Sequence, residues 1–275
     1  GNVLTLNACF DRGNHGPGKS AGVPNTDFVS KMFGESFSYS EEGLLGHYRS
    51  MLNTTWRTSE VARTMFYGNG VKMDSEQMFT VPKDSTIDRV ANKQPSLNMF
   101  YQLGAGEVLC EVLRKHFGID IRTQPEVNSQ LACEGSISGW FGTIDLKSAS
   151  DTISDSLVRR LLPRQALFVL DVIRMKTCRE PGKKGRTVSL GMFSCMGNGF
   201  TFPLQTLIFA TLMRACCIAM DIKVYRGDIQ NYSVFGDDII CRFDVYDTAV
   251  KLLNYCGFIV NETKSYNTGK FRESC

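Results

Sequence analysis

Tyr232-Ser233-Val234-Phe235-Gly236-Asp237-Asp238-Ile239-Ile240-Cys241 is the stretch on which the reading of this chain turns. Two apolar runs of strand-forming residues meet at a Gly-Asp-Asp turn, so the segment reads as a hairpin, predicted over Tyr232–Phe243. Gly-Asp-Asp is ordinary turn chemistry. Two adjacent carboxylates nevertheless repel each other, and a turn built only for folding gains little from the second one. A pair of divalent cations about 3.5–4 Å apart, the apparatus of in-line phosphoryl transfer, would remove that repulsion.

Upstream, Trp140–Leu146 reads as a buried strand in which Asp145 follows Gly142-Thr143-Ile144. An acid closing an apolar strand suits a site at the strand end, where Asp145, Asp237 and Asp238 would surround hard cations through oxygen ligands, as magnesium prefers. Alone, Asp145 reads as a loop or helix-capping acid; paired with the hairpin it reads as a ligand. Asp151–Leu162 is expected to be a helix capped by Ser150 and stopped by Pro163, and Leu167–Met175 extends the helical layer. Ser194-Cys195-Met196-Gly197-Asn198-Gly199-Phe200-Thr201 supplies glycines that let backbone approach a ligand, ahead of a helix predicted over Phe202–Ala219. That helix should bury Leu204, Leu207, Ile208, Thr211, Leu212 and Ala215 along one face. A helix over Thr248–Cys256, closed by Gly257, and a strand at Phe258–Val260 complete a β-α-α-β-β-α-β order. The expected class is α+β, with helices on one face of an antiparallel sheet.

Composition bounds the rest. The chain has 275 residues, 43% of them hydrophobic, enough for one large or two smaller domains. It starts at Gly1 and stops at Cys275 within a patterned segment, which reads as a piece of a longer protein. No stretch reads as a signal peptide. The most apolar run, Phe200 to Met220, is interrupted by Pro203, Gln205 and Arg214 and does not read as a membrane span. Ten cysteines without a C-x-x-C pair suggest reduced thiols packed as small core residues. Residues 1–140 hold 13 basic and 15 acidic side chains, residues 141–275 hold 18 and 13. The basic excess thus shares a half with the acid-bearing turn, as a polyanionic substrate would require. Residues 1–80 carry only short periodic runs such as Glu41–Asn53; Leu97–His116 is helical in pattern. Pro181 to Arg186, with Lys183 and Lys184, reads as a basic turn.

Gly13-Asn14-His15-Gly16-Pro17-Gly18-Lys19-Ser20 fits the G-x-x-x-x-G-K-[ST] pattern of a phosphate-binding loop. That loop requires a helix starting at the lysine, and Gly22 and Pro24 follow too soon. The expectation is a Gly/Pro-rich loop. Two rivals to the metal-site reading are thus a P-loop ATPase and a non-catalytic RNA-binding module.

The order of motifs resembles motifs A to E of viral RNA-dependent RNA polymerases, in particular the replicase catalytic subunits of single-stranded RNA bacteriophages of the Qβ and MS2 type. It is carried by Asp145 to Asp151, by Met196-Gly197-Asn198-Gly199-Phe200-Thr201-Phe202 with its helix, by Phe235 to Asp238, by Gly257 to Lys264, and by Gly269 to Cys275 with its Phe271-Arg272-Glu273-Ser274-Cys275 ending. Val81-Pro82-Lys83, Ile87-Asp88-Arg89 and Asn98 to Gly104 resemble motif F and the helix after it. The resemblance covers most of residues 79–275. It implies a right-hand polymerase, with 1–140 mainly fingers and 141–275 palm, and the thumb largely absent.

It further implies RNA-templated RNA synthesis that replicates a phage genome in the cytoplasm of the infected bacterial host. Asp145, Asp237 and Asp238 would hold two magnesium ions, with manganese as a substitute. Lys83 and Arg89 would meet the triphosphate; Gly197 and Asn198, with Ser150 or Asp151, would meet the ribose; and Lys264 would be a general acid. The second motif A acid stands here at Asp151, six residues after Asp145, where many related polymerases have five; the five-residue position here is Ser150. Partners implied are template and nascent RNA, NTPs, host translation elongation factors and a ribosomal protein, with no membrane.

Overall fold

The computed structural model describes residues 3–83, 85–182 and 185–274; Lys183 and Lys184 of the expected basic turn, and Cys275, lie outside them. In chain order the elements are α1 (Leu6–Asp11), α2 (Phe28–Phe33), β1 (Ser38–Tyr39), α3 (Glu42–Met51), α4 (Thr54–Tyr67), β2 (Val71–Lys72), β3 (Glu76–Pro82), β4 (Asp88–Lys93), α5 (Ser96–Val112) and α6 (Gln124–Ser138). There follow β5 (Phe141–Ile144), β6 (Leu146–Lys147), α7 (Asp155–Leu161), α8 (Arg164–Ile173), β7 (Thr177–Arg179), β8 (Thr187–Ser189), α9 (Thr201–Ala219), β9 (Tyr232–Phe235), β10 (Asp238–Arg242), α10 (Tyr246–Tyr255) and β11 (Ile259–Val260). The chain divides into two compact units, Gly1–Val108 with Val158–Thr201, and Leu109–Leu157 with Phe202–Cys275.

The second unit is built on a three-stranded antiparallel sheet of order β5-β10-β9. Its strands are apolar without alternation because both faces are covered. On one face Leu131 and Ala132 of α6 pack against Phe141 and Ile240. Ile239 and Cys241 point the other way, and both are fully buried as well. The sheet is therefore a middle layer, where the sequence suggested helices on one face only. A short antiparallel pair, β11 with β6, forms a separate two-stranded sheet. In α10, Ala249 and Leu253 are buried, and Gly257, at φ +92°, ends the helix region. Phe258 then meets Phe209 of α9 at 4.8 Å between ring centroids.

Two expected helices differ in detail. Residues 148–152 form a turn, with Asp151 N and Thr152 N both donating to Ser148 O. α7 starts only at Asp155, where Ser154 Oγ accepts from Leu157 N at 3.2 Å; Ser150 is not its cap. In α9, Leu204, Ile208 and Leu212 are buried as expected, but Thr211 and Ala215 are exposed, and Phe209, Met213, Cys216 and Cys217 are buried instead. This helix is long and apolar enough to cross a membrane by length and composition, yet 61% of its most apolar window is buried inside the protein. A helix packed on several sides has no single apolar stripe for periodicity to find.

The first unit holds a four-stranded sheet of order β4-β3-β7-β8, in which β3 and β4 form an antiparallel hairpin and β3 runs parallel to β7. Beside it Phe10, Phe28, Trp56 and Tyr101 gather round Phe100 with centroid distances of 5.7–6.4 Å. The Gly13–Ser20 segment is loop throughout, and no helix begins at Lys19. Lys31 Nζ donates to Gly16 O at 2.6 Å, so a lysine from elsewhere occupies a carbonyl of this loop. The phosphate-loop pattern is coincidental.

Candidate active site

Register brings the three aspartates to one end of the sheet. Ile144 of β5 pairs with Ile239 of β10, and Asp238 pairs with Phe235 across a two-residue turn made of Gly236 and Asp237. Asp145 follows Ile144, one step beyond the last paired residue. Its backbone therefore lies at the end that carries the turn, on the strand next to Asp238, where neighbouring strands run about 5 Å apart. Gly236 adopts φ +61°, which suits the first central position of a type II′ hairpin. An added Cβ there would sit 2.4 Å from Phe202 Cε2. Gly236 N also donates to Thr206 Oγ1 at 3.0 Å, tying the turn to α9.

Asp145 and Asp238 are fastened by different partners. Asp145 is half-buried, and its Oδ2 accepts from Asn261 Nδ2 at 2.7 Å. Its N donates to Ser265 Oγ at 3.0 Å, and its O accepts from Asn261 N at 2.9 Å. Asp238 is buried, and its Oδ2 accepts from Asn128 Nδ2 at 2.8 Å and Ser274 Oγ at 2.7 Å. Asp237 is half-buried in the turn itself. Among the described residues no three His, Cys, Asp or Glu side chains converge as a metal-binding group. The donor set at this sheet end is nonetheless all oxygen, the chemistry that suits a hard cation such as magnesium.

The stretch of residues 267–274, the tail of the described chain, reaches the same region through Ser274 and Arg272. Arg272 is buried, and its guanidinium donates to the carbonyls of Phe141, Asn267, Thr268, Gly269 and Phe271. Five charge-assisted bonds to backbone make this arginine a fastener of the tail against β5. Lys264 is exposed, 3.6 Å from Glu273, on the segment that also supplies Asn261 and Ser265. Ser150 Oγ donates to Asp151 Oδ1 at 3.3 Å within the turn after β6. Asp151 is exposed as a residue, but desolvation of its carboxyl raises the pKa, against the lowering effect of that hydrogen bond.

The remaining predicted residues belong to the first unit. Lys83 and Arg89 are exposed at the end of the β3–β4 hairpin where the two strands are joined; there Arg89 pairs with Val81 and Lys83 N donates to Ile87 O at 2.9 Å. Asn198 is buried, and its Oδ1 accepts from Phe200 N at 3.1 Å. Gly197 has φ +99°, and a Cβ there would fall 2.2 Å from Asn92 O. The loop is fastened on three sides. Met196 O accepts from Asn92 N at 2.9 Å, Gly199 N donates to Gln102 Oε1 at 3.2 Å, and Cys195 Sγ donates to Glu76 Oε1 at 3.1 Å. Glu76 is buried with Asn92 and Gln94 donating to it; burial raises its carboxyl pKa, partly opposed by these hydrogen bonds.

Asn128, Asn261, Ser265, Ser274 and Glu76 carry no motif signal on their own. Only Asn261 and Ser274 fall inside stretches that the sequence singled out, and there as unremarked neighbours of Lys264 and Arg272.

The fold is one shared with viral RNA-dependent RNA polymerases. A human picobirnavirus RNA-dependent RNA polymerase superposes with a TM-score of 0.54 at 16% identity, covering 72% of this chain and 42% of that one. The chain belongs to the RNA replicase beta-chain family, whose pattern matches residues 57–275. It is 43% identical over 209 residues to the RNA-directed RNA polymerase beta chain of Enterobacteria phage GA, covering 76% of this chain and 36% of that protein. It is 41% identical over 208 residues to that of Escherichia phage MS2, covering 76% and 35%. The chain thus matches about a third of the length of these relatives.

Proposed function

We propose that this chain contributes fingers, mainly residues 1–140, and palm, residues 141–275, to an RNA-directed RNA polymerase that replicates a phage RNA genome in the cytoplasm of the infected bacterium. The reaction is attack of a nascent 3′-hydroxyl on an NTP α-phosphorus, directed by template RNA. One P–O bond forms, the bond to the β-phosphate breaks, and pyrophosphate leaves. The single observation that carries this reading is the register that sets Asp145 beside the Gly236-Asp237 turn at one sheet end.

Asp145, Asp237 and Asp238 would hold two magnesium ions, or manganese in their place, and these would supply activation of the hydroxyl and neutralisation of phosphate charge. Lys83 and Arg89 would bind the triphosphate, since cations stabilise charge spread over transferring phosphoryl oxygens. Asn198, in its Gly197-bounded loop, with Ser150 or Asp151, would contact the ribose 2′-hydroxyl, the group that marks RNA precursors. Lys264 would protonate the leaving pyrophosphate. Host translation elongation factors and a ribosomal protein are the proposed protein partners, by family resemblance alone.

The test is Asp237→Asn in a full-length replicase beta chain carrying this sequence, assembled with its partners. Templated NMP incorporation should vanish with magnesium or manganese while RNA affinity stays within about twofold, as expected for loss of charge stabilisation in the transition state only. Retained incorporation would sink the proposal.

A further inference from the structure

We infer that Asn128, a residue of α6, is the positioning residue of the Asp-Asp turn: with Ser274 it clamps Asp238 and, through it, sets the placement of Asp237. This rests on the polymerase reading above.

The chain of donors is continuous and buried. Gln124 Nε2 donates to Ser233 Oγ at 2.6 Å, and Ser233 Oγ donates to Asn128 Oδ1 at 2.5 Å. Asn128 Nδ2 then donates to Asp238 Oδ2 at 2.8 Å and to Asp238 O at 3.2 Å. Ser274 Oγ closes the far side at 2.7 Å. Gln124, Asn128, Ser233 and Asp238 are all buried, Asn128 completely. Every bond in the series points its proton toward the carboxylate, so the polarisation of each strengthens the next.

The geometry is specific to an amide. Ser233 lies on β9 and Asp238 on β10, the two strands joined by the turn, and Ser233 pairs with Ile240. Asn128 accepts one bond from one strand and donates two to the other, a set that an amide supplies and a single hydroxyl, with one proton, does not. It holds backbone and carboxylate of the same residue, so Asp238 has little freedom left. Asp237 is its neighbour in a two-residue turn whose other member, Gly236, is bonded to Thr206. The turn is thus gripped at both ends, and the second aspartate acts as the handle by which α6 holds the first.

Asn128→Asp tests this in the full-length replicase. The variant keeps shape, removes the donor and sets a like charge against Asp238. We expect kcat for templated incorporation to fall about tenfold or more, the worth of one hydrogen bond to a charged group, with the NTP KM within about twofold. Amide exchange across Phe235–Ile240 should accelerate, while exchange in α10 should not. Ser274→Ala should show a smaller loss, and Ser274→Thr, which keeps a hydroxyl, should recover most of it. Ser136→Ala, also on α6 but with its hydroxyl bonded within the helix to Ala132 O, is the control and should match wild type. The inference is overturned if Asn128→Asp keeps kcat within twofold of wild type. It is overturned equally if kcat, KM and exchange throughout the unit all deteriorate together, since that describes general loosening. An Asp237→Asn enzyme that retains activity would instead refute the polymerase assignment, with Asn128 still bonded to Asp238.

Discussion

Two glycine-bearing segments of this chain advertise phosphate chemistry in sequence, and the structure treats them in opposite ways. The Gly236-Asp237-Asp238 turn is wedged between Phe202, Thr206, Asn128 and Ser274. The Gly13–Ser20 loop satisfies a longer and more explicit pattern, yet no helix begins at its lysine, and Lys31 fills its Gly16 carbonyl. A pattern counts when the surrounding fold needs each of its residues. A glycine scan reads that need directly.

The largest effect is expected at the turn. Gly236 is at φ +61°, and a Cβ would press on Phe202 at 2.4 Å. Gly236→Ala should therefore cost roughly 2–4 kcal/mol, the sum of left-handed strain and overpacking. Urea denaturation of purified variant and parent would measure it. A loss below about 0.5 kcal/mol, the range of an uneventful surface change, would mean that the turn relaxes freely and that glycine is not dictated there.

The other segment has a dependence of its own, but on proton uptake. His15 packs edge-on to Phe28 and tilted on Phe100, and among the described residues neither ring nitrogen has a hydrogen-bond partner. Burial, followed by repulsion from Lys31, lowers its pKa from 6.5 to about 4. The unfolded chain takes up the proton near pH 6.5, whereas the folded chain resists until about pH 4. This contribution is therefore complete above pH 6.5 and is lost as pH falls toward 4, an effect of order 2–3 kcal/mol. His15→Phe keeps an aromatic ring without the titration. The stability gap between pH 7 and pH 4.5 should be narrower in the variant than in the parent. Equal gaps would show that His15 is solvated in the folded chain.

The contrast also explains what could be read from sequence. β5, β9 and β10 are buried on both faces, so they stand out as short apolar runs, and Asp145 and the turn are visible as acids that end them. α6 is invisible by the same logic. Its buried side includes Gln124, Asn128 and Gly135, while Ile137 is exposed, so hydrophobic periodicity finds nothing in Gln124–Ser138. Asn128 was hidden with it. The partners of Asp145 were hidden differently: Asn261 and Ser265 lie 116 and 120 residues away in sequence, and only strand register brings them together. Ser150 failed as a cap because four residues later Ser154 offers the same hydroxyl to an amide that begins a helix. Two serines of equal propensity cannot be ranked without the backbone.

The smallest effects should come from the phosphate-loop look-alike, and their smallness is the point. Gly18 does not have a positive φ, and no atom of the described residues lies within 4 Å of where its Cβ would be. Gly18→Ala should therefore fall within about 0.5 kcal/mol of the parent, or gain a few tenths by restricting the unfolded chain. Lys19 is exposed, and Lys19→Ala should change templated incorporation by less than about twofold, the scale of a solvated charge. A true phosphate loop would respond in the reverse order. Its glycine must admit phosphate to the backbone, and its lysine must reach that phosphate, so both substitutions would abolish nucleotide turnover. If Lys19→Ala silenced the full-length enzyme while Gly236→Ala left it unharmed, the ranking of the two segments would be inverted and the catalytic centre would have to be sought in the first unit.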